Sequence, residues 1–309
     1  MVLGSSIASL TSMSATANSL DDMKQTTQQN SPQISQPANA PAVNWQNNPV
    51  GAVFAREGGT SPEGTFRLTS DGIEVYTLIS SPQTEFYQPA SLFYGDNNAD
   101  KERVDALAPS GKVASSMNCF FVRANGHNIL IDTGLPESRS GMTVKRLASL
   151  GVNPESISRI YITHSHFDHI GGLLDETGNA IYPAAEVYIS SREMAFMEGS
   201  MAEFTSQLKQ AYGDRLIVFE PGELLPDGFL AIDAPGHTPG HVVYRIGNLL
   251  FAGDILHGMA LQLVDPEICA NFDADKALAI RSRRNILEYA AANSLTVLAA
   301  HVPNNGVIF

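Results

Sequence analysis

A cluster of histidines and one aspartate within six residues constrains this chain more than any other feature. The motif His-Ser-His-Phe-Asp-His spans residues 164 to 169 and follows an apolar run, 157 to 162, that predicts a buried strand. Three imidazoles and a carboxylate so close together are the donors that a transition-metal site needs, and they suit Zn, Fe, Mn or Co. A strand would point the first two histidines to the same side, and the third would lie with the aspartate in the turn that follows. The motif therefore predicts a metal centre at the end of a strand.

Three further strand ends carry donors of the same kind. A turn rich in Gly and Pro, 236 to 241, lies between two strand-like runs and contains His237. The apolar run 249 to 253 ends at Asp254, and the run 295 to 300 ends at His301. Each residue alone could simply cap a strand, but together these motifs use five of the eight histidines in the chain. The predicted ligand set is therefore His164, His166, Asp168, His169, His237, Asp254 and His301.

This set of seven, in its order and spacing, resembles the ligand signature of the metallo-β-lactamase-fold hydrolases. The resemblance covers about residues 65 to 309 and includes the strand and turn 128 to 134. It implies an α/β fold, a four-layer αβ/βα sandwich with the site at one edge between two sheets. Segments 254–257, 264–266 and 272–275 are similar, within the superfamily, to the branch that holds methyl parathion hydrolase and the acyl-homoserine lactonases.

The resemblance also implies a role for each donor. One divalent ion would be held by His164, His166 and His237, a second by Asp168, His169 and His301, and both by Asp254 as a bridge. Two ions, Zn first with Fe, Mn or Co as alternatives, would present hydroxide at neutral pH to an electrophilic carbonyl or phosphoryl centre. Asp168 is also a candidate to pass a proton to the leaving group.

Asp132 is a candidate for a supporting role, because it stands at the end of a predicted strand. A carboxylate that receives an imidazole N–H fixes the tautomer of a ligand histidine. A turn-forming aspartate before Thr133 and Gly134 explains the residue equally well.

Particular residues disfavour several groups that share this fold. The β-lactamases with a cysteine ligand need a thiolate near position 254, where this chain has an aspartate. The di-iron oxygen-reducing relatives carry a glutamate where His166 stands. Glyoxalase II and the persulfide dioxygenases usually have helical sequence after the last histidine, whereas eight residues follow His301 here. These differences make the substrates of those groups weaker predictions for this chain.

The predicted function is a dinuclear metal-dependent hydrolase that acts on a small lactone. A phosphotriester or aryl ester is the next choice of substrate, and a β-lactam is the third. The alternative from another class is a mononuclear iron enzyme that oxidises a thiol or persulfide. Metal content separates the two hypotheses.

Five side chains are predicted to form a wall of the substrate pocket near the metals: Phe167, Phe93, His257, Met259 and Phe272. For each apolar one, packing in the core is the commoner role. His257 differs, because it stands three positions after Asp254 and would face the substrate. His127 and His241 are expected to be structural.

The composition fits an enzyme with a small-molecule substrate. Hydrophobic residues make up 43% of 309 positions, and no apolar run is long enough to span a membrane. The net charge of −13 disfavours nucleic acid as a partner and so argues against the nuclease branches. The one basic cluster, Arg281, Arg283 and Arg284, is expected on the solvated face of a helix. A homodimer is left open.

Cysteine usage gives no sign of a disulfide framework. Only Cys119 and Cys269 are present, too few for such a framework or for a thiolate metal site. Cys119 lies in an apolar strand and is predicted to belong to the core.

Residues 1–60 are predicted to be a leader or linker, and residues 61–309 the catalytic domain. The segment 21–49 is rich in Gln, Asn, Ser and Pro, which predicts disorder. Residues 15–17 resemble the small-residue end of a secretory signal, although a basic region before it is absent. A periplasmic or secreted location is slightly favoured over a cytoplasmic one.

The end of the chain departs from the branch that it resembles. Members usually continue past the last histidine into further strands, so we expect the terminal strand pair to be missing, shortened or supplied by a partner chain.

Periodicity predicts most of the secondary structure. Strands are expected near 73–79, 117–124, 127–132, 158–163, 186–190, 215–219, 229–234, 241–246, 249–253 and 295–300. Helices are expected near 142–150, 191–198, 201–212 and 274–292.

Overall fold

The computed structural model describes residues 62–84, 86–95, 98–303 and 305–308. The predicted leader and its signal-like segment lie outside these residues. Within the described part of the chain, none of the helices combines the length and the apolar character that a membrane crossing requires.

The described residues contain thirteen strands. They are β1 Thr65–Ser70, β2 Ile73–Ile79, β3 Phe86–Pro89, β4 Lys112–Ser115, β5 Asn118–Ala124, β6 His127–Ile131, β7 Arg159–Tyr161, β8 Glu186–Ser190, β9 Leu216–Phe219, β10 Leu230–Asp233, β11 Val242–Ile246, β12 Leu249–Phe251 and β13 Thr296–Leu298. The α-helices are α1 Asn98–Leu107, α2 Thr143–Ser149, α3 Phe167–Ile170, α4 Ser191–Ser200, α5 Ala202–Tyr212, α6 Met259–Gln262 and α7 Lys276–Ala292.

Two large sheets and one small sheet organise these strands. The first has seven strands in the order β1-β2-β5-β6-β7-β8-β9, and the second has four in the order β10-β11-β12-β13. In the first sheet β1, β2, β5 and β6 are antiparallel, whereas β6 to β9 run parallel. Parallel neighbours need a crossover connection, and here α2, α3 and the pair α4–α5 supply it.

The core is divided into layers. One cluster of buried residues joins the two sheets and includes Phe120 and Val122 of β5 together with Tyr244 of β11. Phe121, between those two β5 residues, points to the opposite face and packs with Leu208 of α5 in a second cluster. A third cluster packs the second sheet against α7. The predicted four-layer αβ/βα sandwich is thus confirmed, because both sheets are covered by helices on their outer faces.

The elements that sequence periodicity misses have little apolar patterning. Strand β1 lies at the edge of its sheet and is mostly exposed, so it shows no clear alternation. Helix α1 is highly charged and has Val104 as its one fully buried residue. These elements depend on neighbours distant in sequence, which a local pattern does not reveal.

The chain after His301 returns along β13. Val307 forms an antiparallel bridge with Leu298, and the N–H of Ile308 donates to the carbonyl of Val297 at 2.9 Å. The described residues after His301 therefore add one short antiparallel pairing to β13.

The expected solvated basic face is wrong for one of its three residues. Arg283 is 1% exposed and is the largest fully buried side chain of the described residues. Its Nε donates to the carbonyl of Ile255 at 2.7 Å, and its Nη1 donates to the carbonyls of Pro266 at 2.6 Å and Ile268 at 3.1 Å. Arg283 thereby ties α7 to the segment that follows Asp254. Arg284 is mostly exposed and pairs with Glu267, as a solvated position would.

Replacement of Arg283 by Ala should destabilise the fold by about 3 kcal/mol, because the carbonyls of Ile255 and Pro266 lose this donor and that of Ile268 keeps only the side-chain amide of Gln262. The matched variant Arg284→Ala removes an exposed pair and should stay within about 0.5 kcal/mol of the wild type. Urea unfolding followed by circular dichroism measures both. Equal effects in the two variants would contradict the buried role of Arg283.

Candidate metal centre

The donor residues lie in four loops, each of which follows a strand. The first loop follows β7 in the first sheet, and the others follow β10, β12 and β13 in the second. The N–H of Val242 donates to the carbonyl of Thr163 at 3.0 Å and joins the loops of the two sheets. The centre therefore lies at the edge where the sheets meet.

The expectation that a strand aligns the first two histidines is wrong. β7 ends at Tyr161, and His164 lies beyond it in a buried loop. His166 has extended backbone and stands directly before the short helix α3, which contains Asp168 and His169. The change from loop to helix, not strand alternation, brings these side chains together.

Three histidines form the first donor group. The Nδ1 atom of His166 lies 3.0 Å from Nε2 of His164 and 2.8 Å from Nε2 of His237. Oδ2 of Asp254 lies 3.6 Å from the first of these Nε2 atoms and 3.3 Å from the second. Four ligand atoms from three loops thus converge on one point.

Asp168, His169 and His301 form the second donor group. Oδ2 of Asp168 lies 3.8 Å from Nε2 of His169 and 3.4 Å from Nε2 of His301. Asp254 contacts this group too, with Oδ1 at 3.2 Å from Nε2 of His169 and Oδ2 at 3.1 Å from Nε2 of His301. Its carboxylate is therefore shared by the two groups.

In three of the donor histidines the second ring nitrogen, Nδ1, is held by a hydrogen bond. Nδ1–H of His169 donates to Asp132 at 2.8 Å, and Asp132 also accepts from the N–H and hydroxyl of Thr163. Nδ1–H of His237 donates to Asp273 at 2.8 Å, and that of His301 donates to a backbone carbonyl at 2.8 Å. Such bonds fix the tautomer and leave Nε2 free to bind a metal.

The donor set fits divalent metal ions. Nε2 of His169 and Oδ1 of Asp254 are fully buried and have no hydrogen-bond partner, which is costly unless a cation binds there. In a tetrahedral zinc site with Zn–N bonds of about 2.0–2.1 Å, ligand atoms lie about 3.3 Å apart. The observed separations between donors scatter around that value.

The protonation of the donors is set by burial and by Asp254. Burial holds the pKa of His164 well below its usual value and, with His237 nearby, lowers that of His166 to about 4. Burial also lowers the pKa of His237, but hydrogen bonds to Asp254 and Asp273 outweigh it and raise that pKa to about 9. Burial raises the pKa of Asp254, and the imidazoles around it, His169 first, outweigh this and hold it well below its usual range.

His257 lies against the donors and is 3% exposed. Its Nε2 lies 2.9 Å from Oδ2 of Asp254, and its ring stacks on that of His301 with centroids 5.0 Å apart. Phe272 is 40% exposed and presents its ring edge-on to His257 at 4.7 Å. These two predicted pocket residues therefore lie beside the donor groups.

The other predicted pocket residues are arranged differently. Phe167 is half-buried in α3, contacts Phe204, and has the guanidinium of Arg139 4.7 Å above its ring. Met259 packs against the third core cluster. Phe93 is 1% exposed and packs in a small core with Val104, so the expectation that it lines the pocket is wrong. Phe93 is thus a core residue, which is the commoner role of an apolar side chain.

The remaining histidines have structural contacts. Nε2 of His241 accepts from the N–H of Asp254 at 3.0 Å and so helps to orient the shared carboxylate. His127 is the first residue of β6, and its Nδ1 lies 2.8 Å from Oδ1 of Asp227. This contact lies at the opposite end of β6 from Asp132. Sequence reasoning missed Asp273 as the partner of His237, because the contact joins residues 36 positions apart.

The comparison with known families matches residues 114–301 to the metallo-beta-lactamase superfamily. The chain belongs to this superfamily.

Two proteins of Bacillus subtilis (strain 168) are similar to it. The uncharacterized protein YobT is 34% identical over 149 residues, 45% of this chain and 61% of YobT. The probable metallo-hydrolase YflN is 30% identical over 168 residues, 47% of this chain and 62% of YflN. The chain thus matches about three fifths of the length of these relatives.

Solved structures of the superfamily are similar over more of the chain. The hydrolase AbOPH has a TM-score of 0.69 and 26% identity, covering 79% of this chain and 92% of its own. AidC, described as a dizinc quorum-quenching lactonase, has the same TM-score and coverage at 22% identity, which shows likeness of fold alone. The methyl parathion hydrolase branch stays a prediction.

We expect zinc uptake by the metal-free protein to weaken as the pH falls from about 9 to about 6. His237, with a pKa near 9, binds a proton in this range, and that proton must leave before the nitrogen can bind metal. Each displaced proton lowers the apparent affinity about tenfold per pH unit below its pKa.

Competition with a chelator at several pH values measures this dependence. The variant Asp273→Asn removes one of the groups that raise the pKa of His237, so its pH dependence should be weaker. Zinc affinity that is the same at each pH in the wild type would contradict the expected proton displacement.

Proposed function

We propose that this chain is a dinuclear metal-dependent hydrolase that acts on a small neutral lactone or ester. One observation carries the proposal: the carboxylate of Asp254 contacts both donor groups. Its Oδ1 lies 3.2 Å from His169, and its Oδ2 lies 3.3 Å from His237 and 3.1 Å from His301. A buried carboxylate shared in this way suits a bridge between two cations.

The residues that would hold the ions are the two donor groups and Asp254. When bound, two divalent ions of this kind supply a hydroxide nucleophile near neutral pH and polarise the electrophilic oxygen. The chain's own part is to orient the donor imidazoles and to exclude bulk water from the shared carboxylate. The buried partners Asp132 and Asp273 orient His169 and His237.

Asp168 is proposed to move a proton to the leaving group. It lies in the first turn of α3 beside His169 and is half-buried, unlike the fully buried Asp254. Its Oδ2 lies within 3.4 Å of His301 and at the opening of the centre, as its partial exposure indicates. The pKa of Asp168 is lowered because His169 and His301 outweigh the effect of burial, so the group is an acceptor at neutral pH.

The choice of a small neutral substrate follows from the side chains around the centre. Phe272 is partly exposed and contacts the rings of His257 and His237. An aromatic side chain beside a polar centre favours an uncharged organic substrate. A lactone is the first choice and a phosphotriester or aryl ester the second. Likeness to the hydrolase AbOPH supports hydrolysis as the reaction class.

The first experiment measures metal content per chain together with rates on a lactone, an aryl phosphotriester and a β-lactam. We expect two zinc-like ions and turnover of the lactone. Asp254→Ala should lose both ions and at least about 1,000-fold in kcat/KM, which corresponds to about 4 kcal/mol. The exposed aspartate variant Asp214→Ala serves as the control and should match the wild type.

Two results would contradict the proposal. Full activity in Asp254→Ala would rule out a shared carboxylate between two ions. One iron per chain, with oxygen uptake that depends on a thiol and no hydrolysis, would favour the oxidation hypothesis instead.

His257→Ala tests the substrate wall separately. Because His257 contacts Asp254 from the side of Phe272, we expect its loss to change the ratio of kcat/KM between lactone and phosphotriester by at least about tenfold. Metal content should stay at the wild-type level. His127→Ala, at the start of β6, is the matched histidine control. Loss of an ion from His257→Ala would show that His257 is a ligand.

A further inference from the structure

Glu193 is a buried carboxylate that the proposed chemistry does not use. It is 1% exposed and is the third residue of α4, which follows β8. A buried carboxylate needs strong hydrogen-bond donors, and its choice of partners indicates what it stabilises.

The ordinary reason for a glutamate at this position does not apply. Ser190 caps α4 and accepts from the N–H of Glu193 at 3.2 Å, which is half of a capping box. In a complete capping box the glutamate side chain bonds back to the N–H of the capping residue. The Glu193 carboxylate makes its hydrogen bonds to two other loops instead.

The first of these loops carries the start of the ligand motif. Oε1 of Glu193 accepts from the backbone N–H of Ser165 at 2.7 Å and from its hydroxyl at 2.5 Å. Ser165 lies between His164 and His166, so it is bonded through its backbone to a predicted metal ligand on each side. Holding Ser165 therefore limits the movement of both imidazoles.

The second loop carries the histidine from the other sheet. Oε2 of Glu193 accepts from the hydroxyl of Thr238 at 2.7 Å and from the N–H of Gly240 at 3.0 Å. Thr238 directly follows His237. A Cβ atom at Gly240 would lie 2.1 Å from the backbone nitrogen of Glu193, so the close approach of loop and helix requires glycine there.

We propose that Glu193 is a positioning residue that clamps these two loops and so sets the geometry of the first donor group, His164, His166 and His237. The inference rests on the proposed function only in that this group binds a metal ion. All four hydrogen bonds go to the loops of the first group, and none of them goes to Asp168, His169 or His301. Loss of the clamp should therefore affect one ion more than the other.

Glu193→Gln tests the clamp with little change of shape. The amide offers one acceptor and one donor where the carboxylate offers two acceptors. The hydroxyls of Ser165 and Thr238 can rotate, but the backbone N–H groups of Ser165 and Gly240 cannot. In either orientation of the amide, one backbone N–H therefore faces the amide NH2 group and loses its acceptor.

The measurement is a titration of metal-free protein with Zn²⁺ against a competing chelator. The binding step that disappears in His237→Ala marks the first donor group. In Glu193→Gln we expect the affinity of that step to fall about 10- to 100-fold, while the other step stays within about threefold. Glu198→Gln, an exposed glutamate of the same helix that pairs with Lys209, is the control and should leave both steps unchanged.

A milder variant keeps the test usable if Glu193→Gln does not fold. Thr238→Val keeps the side-chain shape and removes one of the four hydrogen bonds, so it should weaken the same step about three- to tenfold. Thermal unfolding of the metal-free forms shows whether each variant folds. If Glu193→Gln does not fold, the Thr238→Val titration decides.

The possible results separate this inference from the proposed function. A selective loss at the first step supports the clamp. An equal loss at both steps, or wild-type affinity at both, overturns it while leaving the metal centre intact. A wild-type protein that takes up no Zn²⁺ overturns the proposed function and this inference with it.

Discussion

The buried carboxylate of Asp254 is the group on which the rest of the centre depends. Taking a carboxylate out of water is costly unless opposite charge or strong donors surround it. Here imidazoles from both sheets supply the surroundings, and His169 and His301 are among them. Because those side chains come from loops far apart in sequence, the two sheets must pack in one register for the carboxylate to be satisfied. The layered core and the centre are thus parts of one arrangement.

Much of this architecture could be predicted from the sequence. The order and spacing of the seven donors indicated the superfamily, and the family match over residues 114–301 confirms it. Long apolar strands such as β5 were found by pattern, because both of their faces are covered and nearly every residue is apolar. The four-layer sandwich came from the resemblance and is confirmed by the clusters on both sides of the sheets.

What could not be predicted depends on contacts between residues distant in sequence. The sequence gives no reason to distinguish Arg283 from its exposed neighbour Arg284. In the structure Arg283 is buried and donates to three backbone carbonyls. Phe93 was expected in the pocket as an aromatic residue, but it packs with Val104 of α1. Glu193 has the spacing of a helix cap, and its bonds to Ser165 and Thr238 cannot be read from that spacing. The identity of polar partners is decided by the tertiary fold, not by local pattern.

The division of the donors between the two sheets has a mechanical consequence. Metal ions that join His164 to His237, and His169 to His301, would act as cross-links that close long loops of the chain. Closing a long loop removes conformational freedom mainly from the unfolded chain, as a disulfide does. A protein whose two cysteines are both free and buried would thus gain from its cofactor the restraint that others obtain from sulfur. Resistance to unfolding would then rise with the supply of metal, and the sandwich would open first along the seam between its sheets.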